Sequence, residues 1–352
     1  MRRGIFYALA AAALFGASTP FAKLLLADVH PVVLAAFLYA GSGLGLAVVQ
    51  ALRLALGRGR ARAIAWPPPH DWAWLSAAIF AGGIVAPVLL LLGLATTAAS
   101  TASLLLTLES AFTAVLAWFV FGENFDRRIV AGMAAIVSGA VILVIEPGSL
   151  RGLSPGALLI GGACVGWAID NNLTRKVSGS DAITLAGLKG LVAAAVNVTL
   201  ALALRLEFPH AGSFVAAGAT GFLGYGLSLV LFVLALRHLG ASRTGAYFAV
   251  APFFGGLLAF LLLGDAPTVR VGVAGTLMAF GVWLHLREHH EHMHRHEPIE
   301  HTHVHRHDAH HRHRHDFPWD GREPHTHRHH HEPLVHEHVH YPDLHHRHEH
   351  PK

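Results

Sequence analysis

The chain has 352 residues, 53% of them hydrophobic, and a formal net charge of +4. From Leu286 onward there are 9 basic and 12 acidic side chains, against 17 and 10 before it, so the positive charge belongs to a body more apolar than the average. Such a body excludes an ordinary soluble domain, and basic residues confined to particular loops exclude a nucleic-acid footprint.

Taken in order, apolar runs occur at about 4 to 27, 31 to 53, 72 to 95, 100 to 121, 128 to 146, 155 to 176, 182 to 204, 213 to 236, 243 to 264 and 269 to 286. A bilayer core of about 30 Å is crossed by about 20 apolar residues in α-helix, so these ten runs predict ten spans. Their lack of alternation excludes a membrane barrel, leaving an all-α membrane protein. The first run, with Arg2 and Arg3 ahead of small apolar residues, is similar to a signal peptide, yet it continues through Lys23 to Ala27 and reads as a retained helix. The one cysteine, Cys164, lies inside a run, so neither a disulfide framework nor a cysteine metal site can be built.

With the N-terminus inside, twelve loop cations fall on the cytoplasmic side and four, Lys23, Arg151, Arg205 and Arg270, outside. That bias predicts a multi-pass protein of the cell (inner) membrane with both termini cytoplasmic. The halves are also alike. Shifting residues 99 to 123 by 142 superposes Ser100 on Ser242, Phe112 on Phe254, Ala117 on Ala259 and Gly122 on Gly264, with Glu123 on Asp265. A shift of 152 pairs Phe15 with Trp167 and Lys23 with Arg175. Five spans per copy is odd, so the second copy enters from the opposite side, which predicts two inverted five-helix repeats, residues 1–147 and 151–287.

Three stretches carry a family resemblance: LFGASTPFAK in the first run, LxxxFTAxLAWxxFGE in the fourth and YxxxxPFFxxLLAxLLLGD in the ninth. Over about residues 4 to 286 the chain resembles the EamA-type transporters of the drug/metabolite transporter superfamily. The resemblance implies ten helices, cytoplasmic termini and transport of small solutes, without naming one. Ser110 stands where the family commonly has the proline that Pro252 supplies in the second copy, and Asp265 replaces a glutamate.

Polar groups inside the spans are few, and they are the candidate pathway: Ser18, Glu109, Asp170, Asn171, Asn172, Lys189, Tyr225 and Tyr247. Glu109 lies about nine residues into its run, where a lone carboxylate is costly unless it faces a cavity or a partner. It reads either as proton acceptor or cation ligand in a cavity, or as a helix-to-helix hydrogen bond while protonated. At 1.5 Å per residue, Asp170 lies about 9 Å from its cytoplasmic end and Lys189 about 12 Å, so the two can form a buried ion pair or gate. Snorkelling towards headgroups is the alternative for both. Tyr225 and Tyr247 read equally as cavity wall or aromatic packing.

Residues 288–352 hold 25 of the 30 histidines and almost no apolar content, so they predict a disordered tail without a core. The tail is a tandem duplication: a shift of 35 matches His292, His294, His296, His301, His303, His305, His310, His311 and His313 with His327, His329, His331, His336, His338, His340, His345, His346 and His348. Neutral imidazole is the commonest ligand for zinc, nickel and cobalt, so these histidines predict divalent-metal binding. Two functions stay open. The body carries a small polar metabolite while the tail buffers metal, or the body moves a divalent cation that the tail collects. No nucleophile and base recur at usable spacing, so no enzyme is predicted and no cofactor is required. The expected partners are the lipid bilayer and a small-molecule or ion substrate, with homodimerisation left open.

Overall fold

The computed structural model describes residues 2–55, 69–121, 127–145, 152–176, 182–239 and 241–286, together with four short strands between 291 and 339. It divides into two units, residues 1–288 and 289–352.

The described residues of the first unit build helices. These are α1 (Arg2–Leu25), α2 (Pro31–Ala55), α3 (Trp72–Thr96), α4 (Ala99–Leu105 and Leu108–Phe121) and α5 (Arg127–Val144). They continue as α6 (Pro155–Lys176), α7 (Ala182–Ala203), α8 (211–239), α9 (Ala241–Phe248 and Ala251–Leu263) and α10 (Val269–Leu286). Seven stretches among the described residues are long and apolar enough to cross a membrane by themselves. They fall in α1 to α5, α7 and α8. Two shorter apolar helices lie in α9 and α10. In α6, 22 residues long, the polar end that begins at Asp170 lowers the apolar average.

Helix is the form these segments take because it satisfies every backbone group within the segment, the only solution in hydrocarbon besides a closed barrel. Prolines begin α2 and α6, where a missing N–H costs nothing. Gly264, with φ +67, ends α9 in the left-handed conformation that a Cβ disfavours. His210 begins α8 by accepting from the Ser213 backbone N–H at 3.3 Å.

Four helices depart from regular geometry, in two matched places. The middle of α3 widens into a π-turn over Ile79–Val85, and α8 does the same over Phe222–Leu227. Helix α4 is interrupted between Leu105 and Leu108, and α9 between Phe248 and Ala251. Subtracting 142 or 143 carries each feature of the second group onto its counterpart in the first, to within a residue. Packing follows the same pairing: α2 lies along α7, α5 along α10, α3 along α6 and α1 along α8, while the first segment of α4 packs on the second of α9. Pro20 in α1 removes the hydrogen bond to the Gly16 carbonyl, and Gly255 of α9 packs against that exposed carbonyl, where a Cβ would lie only 2.7 Å from it.

In the second unit, β1 (Glu291–His296) pairs antiparallel with β4 (Leu334–Val339), and β2 (Glu300–His305) with β3 (His325–His330). The expectation of a tail without regular structure is corrected for these residues. Alternating His-x-His stretches have the period of a strand, and a composition argument about a missing core is blind to pairing between the two copies. His310, His311, His313, His331, His340, His345, His346 and His348 lie outside the described residues, as does Glu123.

Candidate functional site: a carboxylate at a broken helix

The interruption in α4 places Glu109 in the first turn of the segment Leu108–Phe121, where the positive end of the helix dipole favours an anion. Three carbonyls at the break take side-chain donors. The Thr107 hydroxyl donates to the Leu104 carbonyl at 2.7 Å, the Ser110 hydroxyl to the Thr107 carbonyl at 2.8 Å, and the Cys164 thiol of α6 to the Leu105 carbonyl at 3.5 Å. Ser110 therefore does by hydrogen bonding what a proline would do by removing a donor: it steadies the end of an interrupted helix.

The Glu109 side chain turns towards α6. Asn171 Nδ2 donates to its Oε1 at 2.8 Å and lies 3.5 Å from Thr113 Oγ1. The next residue, Asn172, donates to the Thr113 carbonyl at 3.2 Å and to the Ala168 carbonyl at 2.9 Å, holding α6 against α4. Tyr39, Asp170 and Tyr225 all lie within electrostatic reach of the Glu109 carboxylate. The Glu109 side chain is half-buried, and its bond to Asn171 is exposed.

Asp170, the residue before Asn171, accepts from Lys189 Nζ of α7 at 2.5 and 2.8 Å, and both side chains are largely covered, at 11% and 18% exposure. Thr174 completes the network, donating to Asp170 Oδ1 at 2.8 Å with its hydroxyl 3.1 Å from the ammonium. Asp170 has room only because Gly82 of the α3 π-turn has no side chain: a Cβ there would overlap its carboxylate.

The same π-turn frees backbone carbonyls, and three helices use them. The Tyr39 hydroxyl of α2 and the Trp167 indole N–H of α6 both donate to the Gly82 carbonyl, at 2.9 and 3.0 Å. Asn197 of α7 donates to the Gly83 carbonyl at 3.2 Å. Tyr225 in the α8 π-turn meets Tyr39 at a ring separation of 5.6 Å and Phe15 of α1 edge-on at 5.9 Å. Ser18 is buried beside Gly224 of that turn and donates to the Phe15 carbonyl at 2.6 Å.

Of the residues predicted from sequence, Glu109, Asp170, Asn171, Asn172, Lys189, Tyr225 and Ser18 thus lie around α3, α4, α6 and α8. Tyr247 is half-buried in the first segment of α9, and among the described residues no hydrogen bond or ring contact joins it to the cluster. Tyr39, Trp167, Thr113 and Thr174 were missed. The Gly82–Gly83 pair inside an apolar run was the signal that could have pointed to the first two.

At the end of the bundle distal to Arg2, three charged side chains hold helix termini. Lys23 donates to the last carbonyls of α3, Leu94 at 2.6 Å and Ala95 at 3.1 Å. Asp265 accepts from the Ser100 backbone N–H at the start of α4 at 2.8 Å. Arg270 donates to the Ile142 and Leu143 carbonyls at the end of α5, at 2.6 and 2.8 Å. Beside them opens a cavity of about 320 Å³ lined by Thr96, Ser100, Thr101, Thr268 and Arg270 among others. Each tie pairs a charge with the helix end of opposite partial charge.

The described groups of three or more His, Cys, Asp or Glu able to hold a metal ion number none. The tail histidines predicted as ligands are described at the backbone only.

Comparison with known proteins fits this architecture. The EamA-like transporter family matches the chain twice, over residues 2–145 and 154–287. An "Uncharacterized transporter" of Methanothermobacter thermautotrophicus is 30% identical over 298 residues, 81% of this chain and 87% of that protein. A "Probable terminal-alkyne amino-acid exporter" of Streptantibioticus cattleyicolor is 26% identical over 193 residues, 53% of this chain and 63% of that protein. A solved structure titled "Crystal structure of protein" shares the fold, with a TM-score of 0.58 at 20% identity over 80% of this chain and 95% of that one. The chain belongs to the EamA-like transporter family: a multi-pass membrane protein that moves small molecules.

Proposed function

We propose that the protein is a secondary carrier of the inner membrane that moves a small polar metabolite by alternating access. In this reading residues 1–147 and 151–287 are two inverted five-helix repeats making ten spans, with both termini in the cytoplasm. The observation that carries it is the matched pair of interruptions, at Leu105–Leu108 in α4 and Phe248–Ala251 in α9, one bearing a carboxylate at the break. Broken helices at equivalent places in two halves are where carriers build sites near the midplane, because irregular backbone is tolerated at that depth only beside a cavity or within protein. The double match of the family supports the repeat.

Glu109 is then the proton- or cation-responsive group of the pathway, Asn171 its partner when unloaded, and the Asp170–Lys189 pair a gate on the side where α6 ends. Tyr39, Tyr225 and Ser18 line the opposite wall. Lys23, Asp265 and Arg270 close the far end, and opening it requires their helix-end bonds to part.

A metabolite suits this pathway better than a soft metal, since its described ligands are a carboxylate, amides and hydroxyls. An amino acid, the solute class named for the exporter relative, offers polar groups that a carboxylate, amides and hydroxyls can meet, so amino acids head the substrate panel. The histidine tail binds zinc, nickel or cobalt on the cytoplasmic side. The test is solute counterflow in proteoliposomes with labelled amino acids, Zn²⁺, Ni²⁺ and Co²⁺. Saturable exchange of an organic solute, lost in Glu109→Gln, supports the proposal, and exchange of metal ions alone refutes it.

A further inference from the structure

The two ribbons of the tail share a single register. Cα partners in β1 and β4 include His292 with His338 and His294 with His336, while β2 and β3 align His301 with His329, His303 with His327 and His305 with His325. In every pair of both ribbons the two residue numbers sum to 630, so the two ribbons keep one common antiparallel register. The sequence between the paired stretches carries Glu297–Pro298 in the first copy and Glu332–Pro333 in the second, and proline has no N–H to give a ladder.

This follows from the duplication. Each copy carries two His-x-His stretches separated by the Glu-Pro interruption, and antiparallel folding of one copy on the other sets the first stretch of each against the second of its partner. Because strand positions alternate between faces, the six positions 301, 303, 305, 325, 327 and 329 fall on one face, and every one is histidine. In the β1·β4 ribbon one face likewise holds 292, 294, 336 and 338, again all histidine, plus His296 and Leu334.

Such a ribbon has no apolar face, and an isolated two-stranded hairpin is marginal in water. Another source of stability is needed. Directly opposed strand positions have Cβ atoms about 4.5–5.5 Å apart. Neighbours on the same face of one strand are about 6.7 Å apart. Two adjacent cross-strand pairs therefore set four histidine positions side by side on one face, the number of ligands a tetrahedral Zn²⁺ takes.

We propose that the tail is a metal-folded hairpin in which imidazole-preferring divalent ions, Zn²⁺ foremost, bind between opposed histidines of the two copies, with the 301/303/305 and 325/327/329 face as the principal site. This rests on the metal-binding reading of the tail and adds to it an arrangement: ligands come from both copies at once, so binding the ion and pairing the strands are one event. The duplication then has a physical consequence, because one copy alone provides one strand of each ribbon.

The experiment uses the full chain in detergent with Cys164→Ala and nitroxide labels on Thr302→Cys and Arg328→Cys, which are register partners on the face opposite the six positions 301, 303, 305, 325, 327 and 329. Continuous-wave EPR reads dipolar broadening after chelator treatment and after addition of Zn²⁺ alone, with retained zinc measured on the same sample. The expected result is broadening with Zn²⁺, its loss with chelator, and its loss in a His301→Ala/His303→Ala version. Zinc retained without broadening overturns the hairpin while sparing metal binding. Broadening indifferent to zinc overturns metal-coupled pairing. No retained zinc overturns both.

Discussion

Lys189→Met tests how the interior of the bundle is held. The ammonium lies 2.5 and 2.8 Å from the two Asp170 oxygens, with the side chains 18% and 11% exposed. At an effective dielectric of about 20, unit charges about 3 Å apart attract by about 6 kcal/mol, a gain that the desolvation of both groups largely offsets. Removing one partner removes the attraction and leaves the other charge buried. Because Thr174 is the remaining donor to the carboxylate among the described residues, Lys189→Met is expected to cost about 3–5 kcal/mol. For a unit of this size that lowers the midpoint of thermal unfolding by on the order of 10 °C. The double variant Asp170→Leu/Lys189→Met leaves no orphan and is expected to recover most of the loss. Unfolding in detergent, followed by tryptophan fluorescence for wild type, both single variants and the double, closes the cycle. A Lys189→Met protein within about 0.5 kcal/mol of wild type would mean the pair behaves as a solvated surface bridge, and the gate assigned to it would have no basis.

Other expectations follow from individual contacts. Gly82→Ala puts a methyl into the Asp170 carboxylate and is expected to destabilise by about 1–3 kcal/mol, read in the same unfolding assay. Trp167→Phe removes one of two donors to the Gly82 carbonyl and leaves the Tyr39 hydroxyl in place, so a loss of only about 1 kcal/mol is expected. Ser110→Pro gives up the bond from the Ser110 N–H to the Thr107 carbonyl, 3.2 Å long, at a helix start where proline is tolerated; its unfolding midpoint is expected within a few degrees of wild type, roughly 1 kcal/mol. Asp265→Asn weakens the tie to the Ser100 N–H and is expected to raise labelling of a Thr101→Cys probe by an impermeant maleimide from outside; unchanged labelling would remove Asp265 from the closure.

How much of this was legible beforehand depended on what hydropathy can register. The runs 31 to 53 and 155 to 176 became helices over Pro31–Ala55 and Pro155–Lys176, because length and apolar content decide where a span lies. Glu109, Asp170 and Lys189 stood out because charge in such a run is expensive. The π-turn of α3 and the interruption of α4 did not, since both are matters of backbone hydrogen-bond register inside segments of uniform apolarity. Tyr39 and Trp167 were passed over for the same reason: each looked like one more aromatic until the freed Gly82 carbonyl gave its polar atom a partner. In the tail, the spacing that sets histidine opposite histidine emerges only when one copy is folded back on the other.

The central claim is that Glu109 borders a route reachable from each side of the membrane in turn. Its most direct measurement is the labelling of Asn171→Cys, in a Cys164→Ala background, by an impermeant maleimide applied to right-side-out and to inside-out vesicles. The account predicts labelling from both sides, with Asp265→Asn shifting the balance towards the outer face. Protection from both sides, with quenching only by a lipid-soluble reagent, would place this residue against the bilayer and contradict it.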